Sequence, residues 1–113
     1  MTWPAAYNRG PVRLEIQTTN LELTPSLRTY IEKKIGGLDR FIKRLPEDAI
    51  LAEVEVGRST RHHRHGQVYH AEVNLTLPGK LIRAAHDDED LRRAIDEVKE
   101  KLKREIEKYK GKN

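Results

Sequence analysis

The 113-residue sequence predicts an α+β domain of order βαβββα, with one four-stranded sheet and both helices on a single face. Three observations predict it. Apolar residues recur at helical spacing in two segments, they alternate with polar ones in the strand segments, and every periodic set keeps one polar side. A sheet and two helices that are each apolar on one side bury those sides together as two layers. The sheet's other face, carrying Glu53, Glu55, Glu72 and Asn74, is then expected to be wet.

Residues 1–11 hold two Pro and a Gly without periodicity and read as a flexible leader. Val12, Leu14 and Ile16 alternate with Arg13, Glu15 and Gln17, the pattern of a first strand. Thr24-Pro25 starts a helix, because the Thr hydroxyl accepts an orphan N–H and Pro at the first position forfeits none. Leu27, Ile31, Ile35, Leu38 and Ile42 form its apolar stripe, and Pro46 ends the element. Gly36-Gly37, each costing about 1 kcal/mol relative to Ala within a helix, marks a break or kink. Ile50, Ala52, Val54 and Val56 define the second strand, and Tyr69 to Leu77 the third. Pro78-Gly79 is a tight turn into a short fourth strand, Lys80 to Ala85. Asp87 or Asp88 is the expected cap of the last helix, where the acidic cluster suits the dipole's positive end. Leu91, Ile95, Val98, Leu102, Ile106 and Tyr109 fall within about 80° on that helix, a strong amphipathic stripe.

The chain has the length of one domain, expected at 12–110, with a short tail at 111–113. Its longest apolar run, Ala49 to Ala52, is far below the roughly 20 residues of a membrane span. No secretory signal is visible, and a cytoplasmic location is expected. With no Cys, disulfides and thiolate chemistry are excluded.

The formal charge is +4, and its placement matters more than its size. Residues 1–57 are neutral, residues 58–85 carry +4, Asp87 to Asp90 carry −4, and residues 92–113 carry +4 again. Such segregation suits a polyanion partner, although a solvated surface of a charge-rich protein would look similar. On the last helix, Lys101, Arg104 and Lys108 stand at i, i+3 and i+7, away from the apolar stripe, with Arg93 on the same outer side and Lys110 beyond. Ridges of this kind track phosphates without reading bases. They also pair with Glu97 and Glu100 at i, i+4, which supports an exposed helix. The first helix offers Lys33, Arg40 and Arg44 in one row with Gly37. Lys34 sits at the edge of the stripe, and Arg28 beyond the other flank.

His62, His63, His65 and His70 invite a metal reading, but the interleaved Arg61 and Arg64 would repel a cation and no fixed tetrahedral set is evident. A flexible basic hairpin loop is the expectation, with no metal and no cofactor. Neither Ser26 nor Ser59 lies in a nucleophile elbow, and Gly36-Gly37 lacks a phosphate-loop context. No catalytic residues and no small-molecule substrate are expected.

The run from Leu21 to Lys34, then Leu38-Asp39-Arg40-Phe41, resembles the first-helix signature of the ribosome hibernation promoting factor family. That family includes the ribosome-associated translation inhibitors, or protein Y, and the sigma-54 modulation proteins. Leu77-Pro78-Gly79-Lys80, Asp90-Leu91, Ala94-Ile95-Asp96, Lys101-Leu102-x-Arg104 and Lys108-Tyr109-Lys110 resemble its later motifs in the same order. Each motif is short, and their joint order makes the match specific. The resemblance implies a fold similar to double-stranded RNA-binding domains, with two roughly parallel helices on one sheet face. It also implies binding to the small (30S) ribosomal subunit near the decoding centre, blocking mRNA and tRNA. The rRNA is the first partner implied, with ribosomal proteins second. It marks Arg28, Lys34, Lys101, Arg104 and Lys108 as contacts; Lys33, Arg40, Arg93 and Lys110 join them from geometry and charge. The family usually has Lys where this chain has Gly37, and an aromatic where it has Arg92. The resemblance fits either a short member or the first domain of a long one. Rival readings are a generic duplex-RNA binder and a protein-interaction module using the exposed sheet face.

Overall fold

A computed structural model describes residues 5–9, 12–41, 49–61 and 66–111. It contains β1 (Ala5–Arg9), β2 (Val12–Thr19), α1 (Pro25–Gly36), a 3-10 turn (Gly37–Phe41), β3 (Ile50–Arg61), β4 (Gly66–Leu77), β5 (Lys80–Asp88) and α2 (Leu91–Gly111). The strands lie in chain order. The β2–β3 pair is parallel, as a strand-helix-strand crossover requires, and the other pairs are antiparallel.

The predicted four-stranded sheet with its two helices is present, and a fifth strand is added to it. Ala5–Arg9, expected within a loose leader, pairs with β2 from Ala5↔Ile16 to Arg9↔Val12. An edge strand is held by backbone hydrogen bonds and needs no apolar alternation of its own.

Alternation places Val12, Leu14, Ile16, Ile50, Ala52, Val54, Val56, Ala71, Val73, Leu75, Leu77, Ile82 and Ala84 on the covered face, all buried. Leu27, Ile31, Ile35 and Leu38 close over them from one helix, and Ala94, Ile95, Val98, Leu102 and Ile106 from the other. Among the described residues no polar side chain is buried, so this core holds by apolar contact alone.

The punctuation is mostly as expected. Thr24 caps α1, its Oγ1 accepting from the Leu27 N–H at 3.1 Å with Pro25 at the first position. The helix breaks at the Gly pair and continues as the 3-10 turn. Gly79, at φ +76°, closes the two-residue loop between Leu77 and Lys80. The cap of α2 is corrected. The fourth strand runs on to Asp88, so the helix starts later and Asp90 Oδ1 accepts from the N–H groups of Arg92 (3.0 Å) and Arg93 (3.3 Å). Asp88 Oδ1 accepts from the Asp90 N–H at 2.9 Å, and this bond above all holds the Asp88 carboxyl below its ordinary range. The expected basic loop is also shorter than the segment from Arg58 to His70. The β3–β4 ladder continues through Arg58↔Tyr69 to Arg61↔Gly66, and His62, His63 and His65 lie outside the described residues, as do Ile42, Arg44 and Pro46.

Candidate nucleic-acid interface

The two helices are parallel neighbours joined along a polar seam. Ser26, Tyr30, Lys34 and Phe41 step along one side of it, and Arg92, Asp96 and Lys103 along the other. Arg92 Nη2 donates to Ser26 Oγ at 2.8 Å, and the Tyr30 hydroxyl donates to Asp96 Oδ1. Lys34 Nζ lies 3.7 Å from the same Asp96 oxygen, and Lys103 Nζ sits 5.0 Å from the Phe41 ring centroid. Partners that advance together on both helices show that the two run in the same direction.

The cations proposed from sequence do not form one uniform ridge. Lys33, Arg40 and Arg104 are exposed and have no carboxylate partner among the described residues. The Arg40 guanidinium folds back over Gly37, its Nη2 lying 3.4 Å from where a Cβ at residue 37 would stand. A positive charge therefore covers the place at which this chain lacks a side chain. Arg28 pairs with Glu32 at 2.9 Å, and Lys34 packs over Tyr30 besides its contact to Asp96. Arg93 lies 3.6 Å from Asp88, Lys108 3.2 Å from Glu105, and Lys110 3.8 Å from Glu107.

Lys101 departs from the expected outward ridge. Its ammonium donates to the Ala85 carbonyl at 2.7 Å, so its half-buried stem lies down over the β5 edge. The helix places residue 101 on the flank away from α1, where the sheet edge offers an acceptor within reach of a Lys stem. Exposed ion pairs are worth about 0.2–1 kcal/mol, so the pairs of Arg93, Lys108 and Lys110 hold these cations only weakly.

The seam also takes in Lys103, which the sequence does not single out, and Arg92, which it marks only as a departure from the family pattern that supplies a charge. Their spacing to Asp96 puts all three on one side of α2, but only the position of α1 reveals that side as a seam. The opposite face of the domain carries the other sign. Glu15, Glu53, Glu55 and Glu72 line the open sheet, with Glu15 beside Glu53 and Glu55 directly across from Glu72. Arg13 reaches Glu15 at 3.1 Å and Arg83 reaches Glu72 at 2.6 Å. His70 bridges Asp87 and Glu72 through its two ring nitrogens, at 2.5 and 3.2 Å. Among the described residues no group of three or more His, Asp or Glu side chains could hold a metal, and no helix is long and apolar enough to cross a membrane.

Known proteins resemble this chain in sequence and fold. The ribosome hibernation promotion factor of Lactococcus lactis subsp. cremoris is 35% identical over 101 residues, covering 88% of this chain and 50% of that protein. The factor of the same name from Staphylococcus aureus is 35% identical over 99 residues, covering 88% and 48%. This chain thus spans about half the length of those curated relatives. The Thermus thermophilus Protein Y N-terminal domain superposes with a TM-score of 0.69 at 28% identity, over 83% of this chain and 94% of that one. A ribosomal subunit interface protein from Coxiella burnetii gives 0.57 at 26% identity, over 85% and 97%. Residues 14–113 match the family described as sigma 54 modulation protein / S30EA ribosomal protein, and with the fold and these relatives that match places the chain in this family.

Proposed function

We propose that this domain silences translation by seating its helical side on the rRNA of the small ribosomal subunit near the decoding centre, in the cytoplasm, where its bulk blocks mRNA and tRNA. One observation carries the reading: the domain is electrostatically two-sided, with Lys33, Arg40, Arg92 and Arg104 unneutralised by carboxylates on the helical layer and a row of Glu on the open sheet. Folded RNA offers phosphates in a fixed shape, and long cationic side chains grip them without base reading. The acidic sheet face then points away from the RNA. No bond is made or broken.

The test is a sucrose gradient of the purified chain with salt-washed small subunits, with in-vitro translation run alongside. The chain is expected to migrate with the subunit and to depress translation in proportion to occupancy. A chain that stays at the top of the gradient contradicts the reading. Binding to naked duplex RNA as tight as to subunits replaces it with a generic RNA binder.

The open sheet favours a second contact of another kind, because Leu81 stands 63% exposed on the rung it shares with Thr76 and Leu51. A protein partner held there would survive nuclease treatment.

A further inference from the structure

We infer that Arg92 is a pre-set contact for an RNA backbone phosphate in the groove between α1 and α2, an inference that rests on the reading above. The groove is a shallow hollow of about 440 Å³ lined by Pro25, Ser26, Thr29, Tyr30, Lys33 and Arg92. Its lining brings one cation from each helix and no carboxylate. Asp96, the acid of the seam, is already engaged by the Tyr30 hydroxyl and by Lys34, and Asp90 by the N–H groups of Arg92 and Arg93. Two other hollows differ in this respect. The one around Thr19 and His70 contains Glu55, and the one at the helix starts, which Arg92 also borders from its other side, contains Glu22, Glu89 and Asp90, so a phosphate is favoured on the Lys33 side of Arg92.

Arg92 is held in place before any ligand arrives. Its guanidinium carbon lies 4.7 Å from the Tyr30 ring centroid, and Nη2 donates to Ser26. Tyr30 is in turn fixed by its bond to Asp96. Stacking uses the π face and Ser26 uses one N–H, so most of the five guanidinium donors stay available for a phosphate. Ordering the side chain in advance removes part of the rotamer cost that an unrestrained surface Arg meets on binding. Thr29 and Lys33, exposed on the groove's other wall, add a hydroxyl donor and a second charge. Lys at 92 would keep the charge but lose both the stack and the fork.

The experiment compares the wild-type chain with Arg92→Gln, Arg92→Lys and, on the opposite sheet face, Arg13→Gln. Affinity for salt-washed small subunits is measured by fluorescence across a salt series, and circular dichroism confirms the fold of each variant. Arg92→Gln is expected to bind about tenfold more weakly, with a log–log salt slope shallower by about 0.9, the signature of one lost phosphate contact. Arg92→Lys is expected to keep the slope and lose about threefold in affinity, because a point charge replaces a stacked fork. Arg13→Gln is expected to match wild type. Wild-type affinity and slope in Arg92→Gln overturn the inference, and so does weaker binding with an unchanged slope, which would make Arg92 a packing residue only. A wild-type chain that does not bind the subunit is a different failure, that of the proposed function, and removes this inference with it.

Discussion

The Tyr30 hydroxyl donates a 2.5 Å hydrogen bond to Asp96 Oδ1, joining α1 to α2 across 66 residues of chain. Burial chiefly, and then this bond and the charge of Asp96, push the Tyr30 pKa up to about 12. Tyr30→Phe keeps the ring under Arg92 and removes only the hydroxyl. It should cost about 1 kcal/mol in urea unfolding, the ordinary net worth of such a bond. A phenol whose folded pKa is raised stabilises the fold fully below pH 10 and loses that contribution as pH climbs toward 12. The wild-type advantage over Tyr30→Phe should therefore shrink in that window. Equal unfolding midpoints at pH 7 would contradict the assignment.

Gly37 is buried, yet its φ of −83° and ψ of 0° are open to any residue. The nearest atoms that a Cβ there would meet belong to the flexible end of Arg40, the closest at 3.4 Å. Gly37→Ala should stabilise the domain by about 0.4–1 kcal/mol, because the unfolded chain loses freedom while the folded one is barely disturbed. Thermal unfolding checks this. A fall in midpoint would mean that Arg40 cannot yield.

His70 stands opposite Asp87 on β5 and two residues from Glu72, with Glu55 across the strand pair from Glu72 and Arg58 lining the same hollow. The hydrogen bond to Asp87 leads in raising its pKa above 6.5, outweighing the lowering effect of desolvation, and Glu72 adds to it. The imidazolium therefore stabilises the β4–β5 pair fully below pH 6.5, and that contribution is lost as pH rises through the raised value. An NMR titration should give a His70 pKa above 6.5, and Asp87→Asn should bring it down. A His70 that titrates identically in both proteins contradicts the pairing.

The apolar code made most of the fold legible. Val12, Leu14 and Ile16 fall on one strand face, and Ile95, Val98, Leu102 and Ile106 on one helix side, and all of them are buried. What escaped was held by backbone or by neighbours. Ala5–Arg9 has no alternation because an edge strand pairs through its N–H and C=O groups, and Gly66 pairs with Arg61 beyond the end of the buried core. Asp90 rather than Asp87 or Asp88 caps α2 because the strand before it runs longer than its apolar residues do. At the interface, a helical wheel groups Lys101 with Arg104 and Lys108 but cannot show that Ala85 lies within reach of one of them. Nor can it show that α1 lies against Arg92 and Lys103.

The most direct measurement of the central claim is the salt-dependent affinity for small subunits of two charge-altered chains. One carries Lys33→Glu, Arg40→Glu and Arg104→Glu on the helical side, and the other Glu53→Gln and Glu55→Gln on the open sheet. If the helices grip rRNA through about five phosphates, the wild-type slope should lie near −3.5 to −4.5. The sheet-face variant should match it, and the helix-face variant should lose detectable binding while remaining folded. Binding by the helix-face variant with wild-type affinity and slope would contradict the account.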